Sequence, residues 1–145
     1  MYTNFLRTGV GVDSIHHLHD IQSSYRHIVH QKQDCAFLTT RRTPTRVNDL
    51  INGGSVYWII KRQICARQII VDIQTLKDEE DKNYCVILMD KKLILTQPLN
   101  HRHIQGWRYL PPEKAPTDIG TFDPSIIEDD MDPDMAKDLA EAGLL

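Results

Sequence analysis

Cations are the residues of this chain whose spacing most suggests chemistry. Arg41, Arg42 and Arg46 cluster around Thr43-Pro44-Thr45, and Lys61, Arg62 and Arg67 follow within the next stretch. Such a set neutralises phosphates and releases their counterions, which gives affinity without sequence preference. Arginine adds a planar fork that matches phosphate oxygens, which lysine lacks. Trp107, Arg108 and Tyr109 supply the complementary feature, since nucleic-acid bases stack on rings set beside arginine. The competing reading is plain: a solvated charged face pairing with acids elsewhere, and aromatic rings packed in a core.

Other chemistries have weaker support. His16, His17, His19, His27 and His30 crowd one predicted helix, with His101 and His103 further on. No HExxH and no cysteine–histidine knuckle accompanies them, so neither a metal nor any other cofactor is expected. Cys35, Cys65 and Cys85 are widely spaced with no CxxC pair, and are expected as reduced core thiols. Ser55 follows Gly53-Gly54 but lacks the GxSxG elbow of a nucleophile. Asp130, Asp132, Asp134, Asp138 and Glu141 fit a calcium-loop register, yet Met135 occupies the position that needs glycine. A capped helix accounts for them better. Catalysis is left open, with the balance against it. An enzyme would need a general base, for which Asp49, Asp72 or a histidine is available.

With 145 residues, 41% apolar and 26% charged, the chain suits one soluble domain with a real core. No apolar run approaches the length of a membrane span, and no leader-like segment opens the chain, so a cytoplasmic protein with no membrane partner is expected. The net charge of −3 conceals a polarity. Residues 1–110 carry 15 Lys and Arg against 10 Asp and Glu, whereas residues 111–145 carry 2 against 10. A cationic body with an acidic tail suggests a polyanion partner, and a tail that docks in cis or on another chain.

The elements that must hold these residues can be read from periodicity. Asn4 to Val12 reads as a strand. Asp13 or Ser14 caps a helix to about Gln31, with Ile15, Leu18, Ile21, Tyr25, Ile28 and Val29 as its apolar stripe. Ala36 to Thr40 reads as a strand, and Thr43-Pro44 as the start of a helix that Gly53 stops. Val56–Ile60, Ile64–Ile73 and Tyr84–Met89 are rich in branched and aromatic residues, and their short links imply antiparallel pairing. Leu93 to Leu95 is a further candidate strand. Pro111-Pro112 ends regular structure. Residues 1–116 thus read as one domain, and 117–145 as an acidic tail with a short helix capped by Asp132.

Several of these strings occur together in a recognisable way. Gly11-Val12-Asp13-Ser14, Thr40-Arg41 with Pro44 and Arg46, Gly53 through Lys61, Ala66-Arg67-Gln68 and Gly106 through Leu110 resemble the alphaproteobacterial proteins of domain-of-unknown-function family 1489. The resemblance covers about residues 5–116 and implies a bacterial cytoplasmic protein, with no activity to carry over. Arg62 stands where glycine is expected, which places a cation at the hairpin.

The sequence therefore predicts an α+β fold: a curved, mostly antiparallel sheet or small open β-barrel with the first helix packed on it, PUA/ASCH-like by analogy in element order. The expected function is a non-catalytic module for RNA or another polyanion. Arg41, Arg42, Arg46, Lys61 and Arg67 would meet phosphates, while Trp107, Arg108 and Tyr109 frame a base. Two alternatives stand beside it: an enzyme on a small phosphorylated or nucleotide substrate, and an adaptor that docks or self-associates through its C-terminal helix.

Overall fold

A computed structural model describes residues 2–24, 28–31 and 33–125. Nine strands form one curled, mixed half-barrel sheet, with few helices. The strands are β1 (Asn4–Thr8), β2 (Ile28–His30), β3 (Gln33–Thr40), β4 (Ser55–Ile60), β5 (Gln63–Lys77), β6 (Asn83–Asp90), β7 (Ile94–Asn100), β8 (Trp107–Leu110) and β9 (Asp118–Thr121). Helices α1 (Ile15–Ser24) and α2 (Val47–Ile51) interrupt them, and Pro112–Lys114 forms a single 3-10 turn.

The sheet runs β2-β3-β6-β5-β4-β1-β8, with β7 on β5 and β9 on β7. Every pairing is antiparallel except β1 with β4. That exception follows from connection length. The 46 residues between Thr8 and Ser55 give the chain room to cross over, whereas two-residue and five-residue links elsewhere turn it straight back. β5 is long enough to serve both halves of the curl: its first part pairs with β4 and β7, its second with β6. A register shift between Ile70 and Asp72 marks the bend.

The main core fills the curl with Phe5, Val56, Trp58, Ile87, Met89 and Trp107 among its members. All six residues of β4 are buried, so it is covered on both faces. Gln68, fully buried on β5, is hydrogen-bonded throughout: its amide oxygen accepts from Trp58 Nε1 and from Gln22 Nε2, both at 2.8 Å. Its amide nitrogen donates to Gln22 Oε1 and to the Asp90 carbonyl. Gln22 lies on α1, and Leu18 of the same helix is buried in the main core.

Several local expectations are corrected. The first helix stops at Ser24 rather than Gln31, and Ile28–His30 form a strand on β3. Two serines end the helix, and the branched residues beyond favour strand. Ser14 is the cap, accepting from the His17 amide at 3.0 Å. The second helix begins at Val47, with Arg46 at its cap and no side-chain cap bond, so Thr43-Pro44 belongs to the preceding loop. β7 extends to Asn100 despite Pro98, and its register on β5 shifts between Ile64 and Ala66. Residues 118–122, expected in the tail, join the body. β9 pairs with β7, and the Phe122 ring packs against the core with the His16 ring edge-on at 4.7 Å. The expected C-terminal helix and calcium-loop register lie outside the described residues, as do Tyr25 and His27.

Gly54 shows how tightly α2 is joined to the sheet. A side-chain carbon there would sit 2.2 Å from the Thr3 carbonyl oxygen and 2.5 Å from that of Leu50. Only glycine fits between these backbones.

Candidate anion-binding surface

The sequence-predicted cations do not meet on one concave surface. They divide into two kinds by what each touches.

The first kind holds the fold together. Trp107 is 3% exposed and stacks on Phe5, ring centroids 4.9 Å apart. Its indole nitrogen donates to the Arg42 carbonyl at 2.9 Å, while the Arg42 guanidinium lies 4.1 Å above its ring and donates to the Trp107 carbonyl. Tyr109 accepts the backbone N–H of Thr45 and of Arg46 at 3.1 Å each through its phenol oxygen. These bonds draw the segment after β3 across to β8, at the opposite edge of the curl. Arg41 pairs with Asp78 at 2.7 Å and Arg46 with Asp49 at 3.0 Å. Arg67 grips both carboxylate oxygens of Asp118 at 2.8 Å and donates to Ser55 Oγ, tying β5 to β9. The guanidinium of Arg67 and the hydrogen bonds of Lys82 and Arg41 hold Asp118 and Asp78 respectively below the usual aspartate range.

The second kind forms no ion pair among the described residues. Ile60 and Gln63 are partners at the close of β4 and the opening of β5, and Gln63 pairs with Asn100 at the end of β7. Lys61 and Arg62 form the two-residue turn between them, exposed, with φ of 50° and 64°. Left-handed backbone at both positions is what a tight hairpin demands, and glycine or asparagine is its ordinary occupant. The Arg62 carbonyl accepts from the His101 amide at 2.9 Å, which fastens the loop 101–106 to the turn. A shallow cleft of about 490 Å³ is lined by Lys61, Arg62, Gln63, Asn100, His101 and Arg102, with no acid among them. Arg108, on β8 at the other end of that loop, donates to the Gln105 carbonyl at 3.3 Å. Among the described residues Lys61, Arg62 and Arg102 form no ion pair.

Arg102 was not singled out from sequence, and Arg62 was counted in the cation set and at the hairpin but not among the residues expected to meet phosphates. The signal was there: two cations between Ile60 and Gln63 form a two-residue hairpin loop, and His-Arg-His opens a later loop. Only the β5–β7 pairing brings the two together.

The histidines are scattered. His17 Nδ1 accepts the Asp13 amide at 3.0 Å, and His30 stands 3.5 Å from Asp72. Among the described residues no three His, Cys, Asp or Glu side chains converge as a metal would require. The three cysteines are buried and unpaired, and burial pushes the Cys65 thiol up to about 12. No helix among the described residues is long and apolar enough to cross a membrane.

With this geometry in hand, the comparison with known proteins is informative in one respect. The chain matches, over residues 5–145, the family described as "Protein of unknown function (DUF1489)". It belongs to that family. The match extends past residue 116, where the resemblance in the motifs ends, and so takes in β9 and the acidic segment beyond it. Neither the curated proteins nor the solved structures provide a match.

Proposed function

We propose that this member of the DUF1489 family is a non-catalytic module that binds single-stranded RNA or a similar nucleic acid through the β4–β5 turn and the 101–103 loop. Lys61, Arg62 and Arg102 meet phosphates, and the flat rings of His101 and His103 offer stacking faces. The observation that carries the reading is the concentration of cations around one cleft with no acid lining it. Backbone geometry adds support. Holding Lys61 and Arg62 left-handed costs of order 1 kcal/mol each, strain that accumulates at sites kept for function.

Of the cations expected at phosphates, Lys61 keeps that role in this reading. Arg41, Arg46 and Arg67 are spent on Asp78, Asp49 and Asp118, and Arg42 on Trp107. A catalytic reading is less favoured. A general base working near neutrality needs a raised carboxylate, and the acids beside Arg41 and Arg67 are lowered instead. The resemblance in the motifs and the three buried thiols fit a bacterial cytoplasmic setting. The PUA/ASCH analogy rests on element order and adds no weight.

The test is the salt dependence of binding to a fluorescent single-stranded RNA. Lys61→Glu, Arg62→Glu and Arg102→Glu together are expected to weaken binding by roughly 30-fold or more and to flatten the log–log salt slope by about two. Wild-type binding that the triple variant retains would remove the proposal.

A further inference from the structure

A cleft at the other end of the 101–106 loop is not used by the surface just described. Its volume is about 880 Å³, within the range of small-molecule sites. Arg7 lies at its wall. On β1 it is flanked by Trp58 of β4 and Trp107 of β8 in register, so its stem is held by strands on both sides. One guanidinium nitrogen, Nη1, donates to the Thr39 carbonyl at 2.7 Å, which fixes the plane of the fork.

Among the described residues Arg7 has no acidic partner, in contrast to Arg41, Arg46 and Arg67. Burial pushes its guanidinium below the ordinary arginine value, the expected response of a cation withdrawn from water without a counter-charge. Lys77 also lines the cleft, its ammonium 3.4 Å from Asp81 in a largely exposed pair, and Ile104, Val10 and Tyr84 provide an apolar wall. Asp78 and Glu79 also border the cleft. The Asp78 carboxylate is hydrogen-bonded to the amides of Glu80 and Lys82 and paired with Arg41, so the pair presents little net charge to an anion. Glu79 is exposed, where water screens it.

We propose that this cleft is a second, separate site, for one phosphorylated small molecule of mononucleotide size. The free edge of the Arg7 fork takes the phosphate, Lys77 exchanges its exposed pair with Asp81 for it, and the organic part rests against Ile104 and Tyr84. The site stands on residues other than Lys61, Arg62 and Arg102, so it does not depend on the nucleic-acid reading. Arg7 escaped the sequence reading because it lies alone in an apolar strand. Its position two residues after Phe5 places it on the core-facing side, which is an unusual place for a cation.

Titration calorimetry of the full chain with adenosine monophosphate, adenosine and inorganic phosphate tests the assignment. Saturable binding of adenosine monophosphate is expected, with adenosine at least tenfold weaker. Arg7→Met is expected to lose at least tenfold, and Lys61→Glu with Arg62→Glu to change nothing. Three outcomes would overturn it: no binding of the monophosphate at millimolar concentration, equal binding of adenosine, or loss in the Lys61/Arg62 variant rather than in Arg7→Met. Should Arg7→Met melt below the assay temperature, amide shifts of the wild-type protein decide. Shifts at Arg7, Thr39, Thr40 and Gly106 on adding the monophosphate support the site, and shifts confined to 61–62 and 101–103 contradict it.

Discussion

Two cationic regions of this protein have similar composition and different partners. Residues 41–46 hold three arginines, and each is spent: Arg41 on Asp78, Arg42 on Trp107, Arg46 on Asp49. The β4–β5 turn and the loop 101–103 hold three cations that, among the described residues, are spent on no acid, and their backbone is strained to keep two of them. An arginine count points to the first region. What distinguishes a structural cation from one available to a ligand is its partner, and a partner is a tertiary fact.

The largest effect should come from the structural region. Trp107→Ala removes the ring between Phe5 and Arg42, and is expected to cost about 4 kcal/mol, read as a lowered denaturant midpoint. RNA affinity at a temperature where the variant stays folded should hold. The proposed binding region should behave in the opposite way. The triple charge reversal of Lys61, Arg62 and Arg102 is expected to leave the midpoint nearly unchanged while affinity falls, whereas Arg41→Gln with Arg46→Gln should alter affinity by less than about twofold.

Arg62→Gly sharpens the contrast further, because its two effects have opposite signs. Relieving a left-handed arginine is expected to stabilise the protein by about 1 kcal/mol and to weaken RNA binding. A variant both more stable and equally tight in binding would show the turn cation to be incidental.

The smallest effect concerns Arg67 and Asp118. Because Arg67 lowers the Asp118 carboxyl in the folded state, the pair's contribution is complete above the ordinary aspartate range and is lost as pH falls through the lowered value. Asp118 is substantially exposed, so the contribution should stay under about 1 kcal/mol. Asp118→Asn is expected to remove that increment at neutral pH and to flatten the acid limb of a stability–pH curve.

How much of this was legible follows from the range over which each signal acts. Strand runs such as Val56–Ile60 and the glycine turn before them are local patterns, and the structure keeps them. The Ser14 cap is equally local. The first helix was read too long because Ile28 and Val29 continue its stripe, and only their pairing with Cys35 and Asp34 makes them strand. Arg67 looked like a surface cation because Asp118, its partner, is 51 residues away. Trp107 and Tyr109 flank an arginine in sequence like a base-stacking pair. In space the indole is core, and the phenol caps the 45–46 backbone. Arg102 gained meaning only when β7 brought its loop beside Lys61 and Arg62.

The most direct measurement is a map of backbone amide shifts on titrating the protein with a short single-stranded RNA at moderate salt. The account predicts perturbations concentrated at Lys61, Arg62 and His101 to His103, fading as salt rises, with Arg41 to Arg46 and Arg67 little moved. Perturbations centred on residues 41–46 and Tyr109, or none that saturate, would contradict it.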